Sequence, residues 1–212
     1  MAAAELVLYG DVRYTSPWVL SVWTALREKG LAFRMATLDL QTGENRRGDY
    51  AHATLTGKVP ALRHGDHWIA ESLAILEYLE EAFPDRLPLL PSEPFARARD
   101  RQILSWLRSD LFELRRCMPF EGIFLPLPPP PLTSQARAEA NRLLAVVAHR
   151  LGGAPAARPT LADFDLAFTL RRLVHYGFAL GGYEAVVAFA EAIWRRPAVQ
   201  AWVSQPRPVA AS

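Results

Sequence analysis

Leu6-Val7-Leu8-Tyr9-Gly10-Asp11-Val12-Arg13-Tyr14-Thr15-Ser16-Pro17-Trp18 joins a strand, a turn and the start of a helix. Glu5 to Tyr9 reads as a short apolar strand. From Pro17 to Lys29 the apolar residues Val19, Val22, Trp23 and Leu26 recur near helical spacing, and Gly30 follows as a C′ residue. Ser16 is therefore expected as the N-cap and Pro17 as N1. A capping serine accepts a hydrogen bond from a first-turn N–H. That leaves its own O–H to donate outward, beside the positive end of the helix dipole, where a thiolate or phosphate would be stabilised. Two readings stay open on this stretch alone: a cap only, or a cap that also serves a bound anion. Tyr14 and Thr15 flank Ser16 with hydroxyls of their own.

Downstream, Phe33 to Asp39 alternates apolar and polar residues as a second strand does, and Gln41 to Tyr50 is a polar loop with room for a short helix. Val59 to Leu62 and His67 to Ala70 read as two strands around a turn at His64-Gly65-Asp66, and Ser72 to Phe83 as an amphipathic helix. The order is βαβ, then ββα. Pro88, Pro91 and Pro94 mark a linker. Beyond it the pattern is helical: one long helix from Arg97 to Arg116, then Ser134 to Leu151, Leu161 to Tyr176, Tyr183 to Arg195 and Pro197 to Val203. The prolines at 126 and 128–131 force an extended segment that reads as a rigid loop between two helices, the alternative being a partner motif for an aromatic groove. The expected fold is α/β plus all-α: a first domain over residues 1–84, a linker over 85–94 and a helical domain over 95–212.

Composition narrows the class. The chain has 212 residues, 50% hydrophobic and 22% charged, which suits a soluble globular protein with a full core. Its 24 Lys and Arg against 22 Asp and Glu leave a net charge of +2, with no basic stripe interleaved with aromatics, so nucleic acid is not an expected partner. Arg97, Arg99 and Arg101 read as a solvated helix face shared with Asp100. The single Cys117 rules out an internal disulfide framework and suits a reducing cytosol. Met1 to Glu5 lacks the pattern of a leader, and no stretch approaches the roughly 20 apolar residues of a membrane span. His64 and His67 lack a second ligand pair, so no metal site is expected.

Two further segments offer places for a ligand. A cis Val59-Pro60 bond would turn the Val59 N–H and C=O from the sheet toward a ligand, where an extended peptide could pair as an added strand. At Glu71-Ser72, Ser72 reads as an N-cap. The Glu71 carboxylate suits an ammonium, and the helix N-terminus suits a carboxylate, so together they suit an α-amino acid group.

In this order, Ser16-Pro17, Gly57-Lys58-Val59-Pro60-Ala61-Leu62 and Glu71-Ser72-Leu73-Ala74-Ile75-Leu76-Glu77-Tyr78-Leu79 resemble the soluble, cytosolic glutathione S-transferase family. Pro159 to Ala167 is similar to that family's buried capping box, with Thr160 as N-cap and Asp163 at N3. Among the family's classes the chain looks most like bacterial serine-type members similar to the tau and theta groups. It lacks the serine-cysteine-serine run expected of maleylacetoacetate isomerases.

The resemblance implies a thioredoxin-like N-terminal domain, an all-helical C-terminal domain and, usually, a homodimer in the cytoplasm. It implies a detoxifying transferase that joins the thiolate of glutathione, as co-substrate, to a small electrophilic, partly apolar molecule, with no metal, nucleic acid or membrane. Ser16 would hydrogen-bond the glutathione sulfur, Val59 would pair with the cysteinyl backbone, and Glu71 with Ser72 would hold the γ-glutamyl end. Lys58 would sit near the glycine carboxylate, while Trp18, Trp106, Arg108 and Phe112 would wall the second-substrate pocket. The alternatives are a glutathione-dependent peroxidase or disulfide reductase, and a non-catalytic glutathione-binding module. The absence of cysteine from the first domain argues against members that form mixed disulfides.

Overall fold

The computed structural model describes residues 4–152 and 158–208. Met1 to Ala3, part of the stretch searched for a leader, lie outside the described residues. The chain divides into two compact units, one running to Leu89 and regaining the chain from Pro197, the other spanning Leu90–Arg196.

In the first unit β1 (Leu6–Asp11), α1 (Pro17–Glu28), β2 (Arg34–Leu38), α2 (Gly48–Ala53), β3 (Ala61–His64), β4 (His67–Ala70) and α3 (Ser72–Ala82) follow in order. The sheet order is β2-β1-β3-β4, with β1 parallel to β2 and antiparallel to β3, and β3 antiparallel to β4. Leu6, Val7 and Leu8 are all buried, as a central strand covered on both faces requires. A Cβ on Gly10 would lie 2.7 Å from Val19 Cγ1, so glycine lets α1 lie directly on β1. Alternation then sends Tyr9 to the other face, where its ring packs on Tyr50 and Trp68 at 5.5 and 4.8 Å.

α1 ends in a Schellman motif: Gly30, at φ +63°, donates to the Arg27 carbonyl and Leu31 donates to that of Leu26. Lys29, buried at that end, pairs with Glu80 of α3 at 2.8 Å and donates to the Leu87 carbonyl, while Glu80 also accepts the Leu89 N–H. One buried ion pair thus ties α1, α3 and the chain leaving α3.

α9 (Pro197–Val203) packs on α1 in this same unit rather than with the helical one, a departure from the expected 95–212 domain. The cause is aromatic. Trp202, fully buried, sets its ring against Trp23 and Tyr14, and the Trp23 indole donates to the Ala198 carbonyl at 3.0 Å.

The second unit holds α4 (Pro94–Ser109), α5 (Phe112–Cys117), α6 (Ser134–Leu151), α7 (Leu161–His175) and α8 (Glu184–Trp194), with α7 buried along most of its length. The helix expected from Arg97 to Arg116 is broken at Asp110 and Leu111. Asp110 is extended and accepts the Leu111 N–H at 2.7 Å, Leu111 is left-handed at φ +57°, and the buried Glu139 of α6 takes the Leu114 N–H at 2.7 Å. Two carboxylates thus take N–H groups at the start of α5 in place of the helical ladder.

Asp100 is likewise not on a solvated face. It is buried and paired with Arg150 at 2.9 Å. Arg150 also binds Asp163 at 2.5 Å and donates to the Thr160 hydroxyl, while Asp163 accepts the Thr160 N–H at 2.8 Å, forming the capping box of α7. The proline segment carries no regular structure, and the Cys117 thiol donates to the Pro131 carbonyl at 3.3 Å.

Candidate functional site

Sheet register gathers the first-unit candidates at one end. Tyr9 pairs with Ala61 and Ala61 with Ala70, so the C-terminal end of β1, the residues entering β3 and the residues leaving β4 lie together. α1 and α3 both begin at this end and pack on each other, so two helix N-termini, each with its partial positive charge, share it.

The β1–α1 turn is built on Asp11. Its buried carboxylate accepts the Thr15 N–H at 2.7 Å, the Thr15 hydroxyl at 2.9 Å and the Ser16 N–H at 3.1 Å. Thr15 is buried and its proton is committed to Asp11. Tyr14, at φ +52°, turns its ring onto Trp202. Burial, reinforced by Asp11 and opposed by Arg207, pushes the Tyr14 phenol above its ordinary pKa. Ser16 is the N-cap of α1, its Oγ accepting the Val19 N–H at 3.4 Å while its O–H has no acceptor among the described residues. Trp18 follows in the first turn of α1, half-buried.

Val59-Pro60 is cis and stands just before β3, which begins at Ala61 rather than at Val59. The segment entering it is held from outside. The Tyr50 hydroxyl donates to the Lys58 carbonyl at 2.6 Å and Asn45 Nδ2 to the Gly57 carbonyl at 2.5 Å. Burial pushes the Tyr50 phenol well above its ordinary pKa, keeping it a donor. The Lys58 side chain is exposed.

Ser72 is the first residue of α3 rather than its N-cap. Glu71 holds the cap position at φ +69°, ψ 118°, and its exposed carboxylate makes no cap hydrogen bond. Such a backbone costs on the order of 1–3 kcal/mol in a residue with a Cβ, and such strain clusters at ligand sites. Ser72, the next residue, is buried.

The remaining candidates belong to the helical unit. Trp106 donates its indole N–H to Asp110 at 3.0 Å, and Arg108 pairs with the buried Asp165 at 2.9 Å, so both side chains have structural partners within that unit. Phe112 is 67% exposed. Thr160 and Asp163 cap α7. Sequence reasoning passed over Asp11, Tyr50 and Asn45. For Asp11 the signal was there, an aspartate four residues before a threonine in a turn. Among the described residues no group of three or more His, Cys, Asp or Glu is arranged to hold a metal ion, and no helix is long and apolar enough to cross a membrane.

The fold and this sheet end define a thioredoxin-like domain with an anion-ready helix start, joined to an all-helical unit. Residues 15–82 match the description "Glutathione S-transferase, N-terminal domain" and residues 94–206 "Glutathione S-transferase, C-terminal domain". The glutathione S-transferase GstA of Escherichia coli O157:H7 is 30% identical over 82% of this chain and 87% of its own length. Several other curated relatives are matched over about half of their length.

A glutathione transferase homolog from Burkholderia, solved with bound glutathione, is 31% identical with a TM-score of 0.73, covering 95% of this chain and 97% of that one. The maleylacetoacetate isomerase of Methylobacterium extorquens AM1, solved with malonate and glutathione, is 30% identical with a TM-score of 0.73 over 96% of this chain and 100% of that one. The chain belongs to the glutathione S-transferase family.

Proposed function

We propose that this chain binds glutathione at the gathered sheet end and presents its thiolate to an electrophilic, partly apolar acceptor. A free thiol has a pKa of about 8.5, so only a few per cent is ionised at neutral pH. The Ser16 O–H and the N-terminus of α1 stabilise the anion, the proton leaves to solvent, and a sulfur lone pair forms the S–C bond as the leaving group departs with its electron pair. The carrying observation is that Asp11 accepts the hydrogen bond of the Thr15 hydroxyl, while the Ser16 hydroxyl is left to donate.

In this reading Val59 pairs with the cysteinyl backbone, Glu71 and Ser72 take the γ-glutamyl end and Lys58 neutralises the glycine carboxylate. Trp18, half-buried in the first turn of α1, is a candidate for contact with the acceptor. The buried free thiol of Cys117 is consistent with a cytoplasmic protein. Leu55, 94% exposed, is an apolar side chain that a second copy would cover in a homodimer.

A second reading is favoured by the full-length similarity to the isomerase. There the same thiolate adds to a cis double bond conjugated to a carbonyl, the π pair moves onto that carbonyl as an enolate, the now single bond rotates, and the enolate pair re-forms the double bond as the thiolate leaves. Calorimetric titration with glutathione, followed by turnover of an aryl halide, an organic peroxide, a small disulfide and a cis-enedioic acid, separates transferase, peroxidase, reductase and isomerase. Absence of glutathione binding overturns all four.

A further inference from the structure

The C-terminal segment reaches the Ser16 turn. Arg207, four residues beyond α9, donates through Nη1 to the Val203 and Gln205 carbonyls at 2.7 and 2.9 Å. Through Nη2 it donates to the Trp202 carbonyl at 3.1 Å and to the Tyr14 carbonyl at 3.3 Å. One planar guanidinium thus caps the C-terminal carbonyls of α9 and grips the backbone two residues before Ser16. The buried Trp202 locks this arrangement against Tyr14 and Trp23.

The charged and titratable groups around this turn are Asp11 on β1, Arg13 and the neutral phenol of Tyr14 in the turn, and Arg207. Arg13 is turned to Gln41 at 2.5 Å. Asp11 presents a difficulty for a thiolate site: a buried carboxylate under the turn orders Ser16 but also repels an anion bound above it. Arg207 supplies the opposing charge. Burial pulls its pKa down while Asp11 and Tyr14 hold it up, and a guanidinium stays charged at neutral pH regardless.

We infer that Arg207 is a positioning residue for thiolate formation, offsetting the field of Asp11 while it holds the Tyr14-Thr15-Ser16 turn. This rests on the reading of Ser16 as the partner of the glutathione sulfur.

The test is an ultraviolet titration of the bound glutathione thiol in wild type, Ser16→Ala, Arg207→Gln, Arg207→Met and Arg207→Lys. Arg207→Gln keeps an amide donor but no charge, and should raise the apparent thiol pKa enough to lower the thiolate fraction at neutral pH about threefold. Arg207→Met should do the same, while Arg207→Lys should stay near wild type. A purely structural role predicts a lower kcat/KM at every pH with the thiol pKa unmoved in the two neutral variants, and that result overturns the inference. If the thiol pKa moves in Arg207→Gln but not in Ser16→Ala, the charge at Arg207 is upheld and the assignment of Ser16 falls.

Discussion

The Thr15 hydroxyl donates a hydrogen bond to Asp11 at 2.9 Å, and this one bond separates two adjacent hydroxyls that look equivalent in the sequence. Thr15 becomes part of the turn's scaffold and Ser16 is left facing outward. Ser16→Ala should therefore raise the bound thiol's pKa and lower kcat about tenfold to a hundredfold with little change in the KM for glutathione, whereas Thr15→Val should act on stability first. Steady-state kinetics beside thermal melts reads the split. Equal thiol titrations in wild type and Ser16→Ala would falsify it.

Asp11→Ala removes the acceptor of three hydrogen bonds at once. The turn should loosen, with a stability loss of about 1–3 kcal/mol and a drop in kcat/KM at least as large as that of Ser16→Ala. Urea denaturation together with kinetics checks both. Wild-type turnover in Asp11→Ala would show that the turn holds itself.

Lys29 and Glu80 form a buried pair whose members also bind backbone at Leu87 and Leu89. Replacing Lys29 with Met removes the buried ammonium that Glu80 pairs with, so about 3–5 kcal/mol of stability should be lost. Lys29→Met combined with Glu80→Gln should recover part of it. A double variant no better than the single one would contradict the pairing.

Arg150, Asp100, Asp163 and Thr160 form one network at the start of α7. Asp163→Ala should lower the folding stability by about 1–3 kcal/mol and the soluble yield with it, while the protein that does fold binds glutathione as wild type does. Calorimetry on the folded fraction is the measurement. A weakened glutathione affinity there would give Asp163 a role beyond capping.

The Leu111 N–H holds the Asp110 carboxyl below the usual carboxylate range, with the Trp106 indole and Arg142 acting in the same direction against some desolvation. A carboxyl lowered in the folded state contributes stability above its ordinary pKa and loses it as the pH falls through the lowered value. Wild type should thus exceed Asp110→Asn in melting temperature at neutral pH, and the two curves should converge in strong acid. Parallel melting curves across the whole range would rule out this role.

The sequence by itself determined where the elements start and stop at α1, the order of strands and helices in the first unit, and the cap at Thr160. These depend on neighbours within a few residues: Ser16 before Pro17, Gly30 after the last turn, and Asp163 three residues past Thr160. Tertiary structure decided the rest. Arg207 meets Tyr14 across 193 residues and Trp23 meets Ala198 across 175, so no local pattern marks either contact. Asp100 sits in a stretch that reads as solvated and Arg108 in one that reads as a pocket wall, until Arg150 and Asp165 arrive from other helices to pair with them. The long helix read from Arg97 to Arg116 breaks because Glu139, on a different helix, caps α5. A buried charge or an uncapped helix end is tolerable only with a partner, and the partner's position is fixed by the fold.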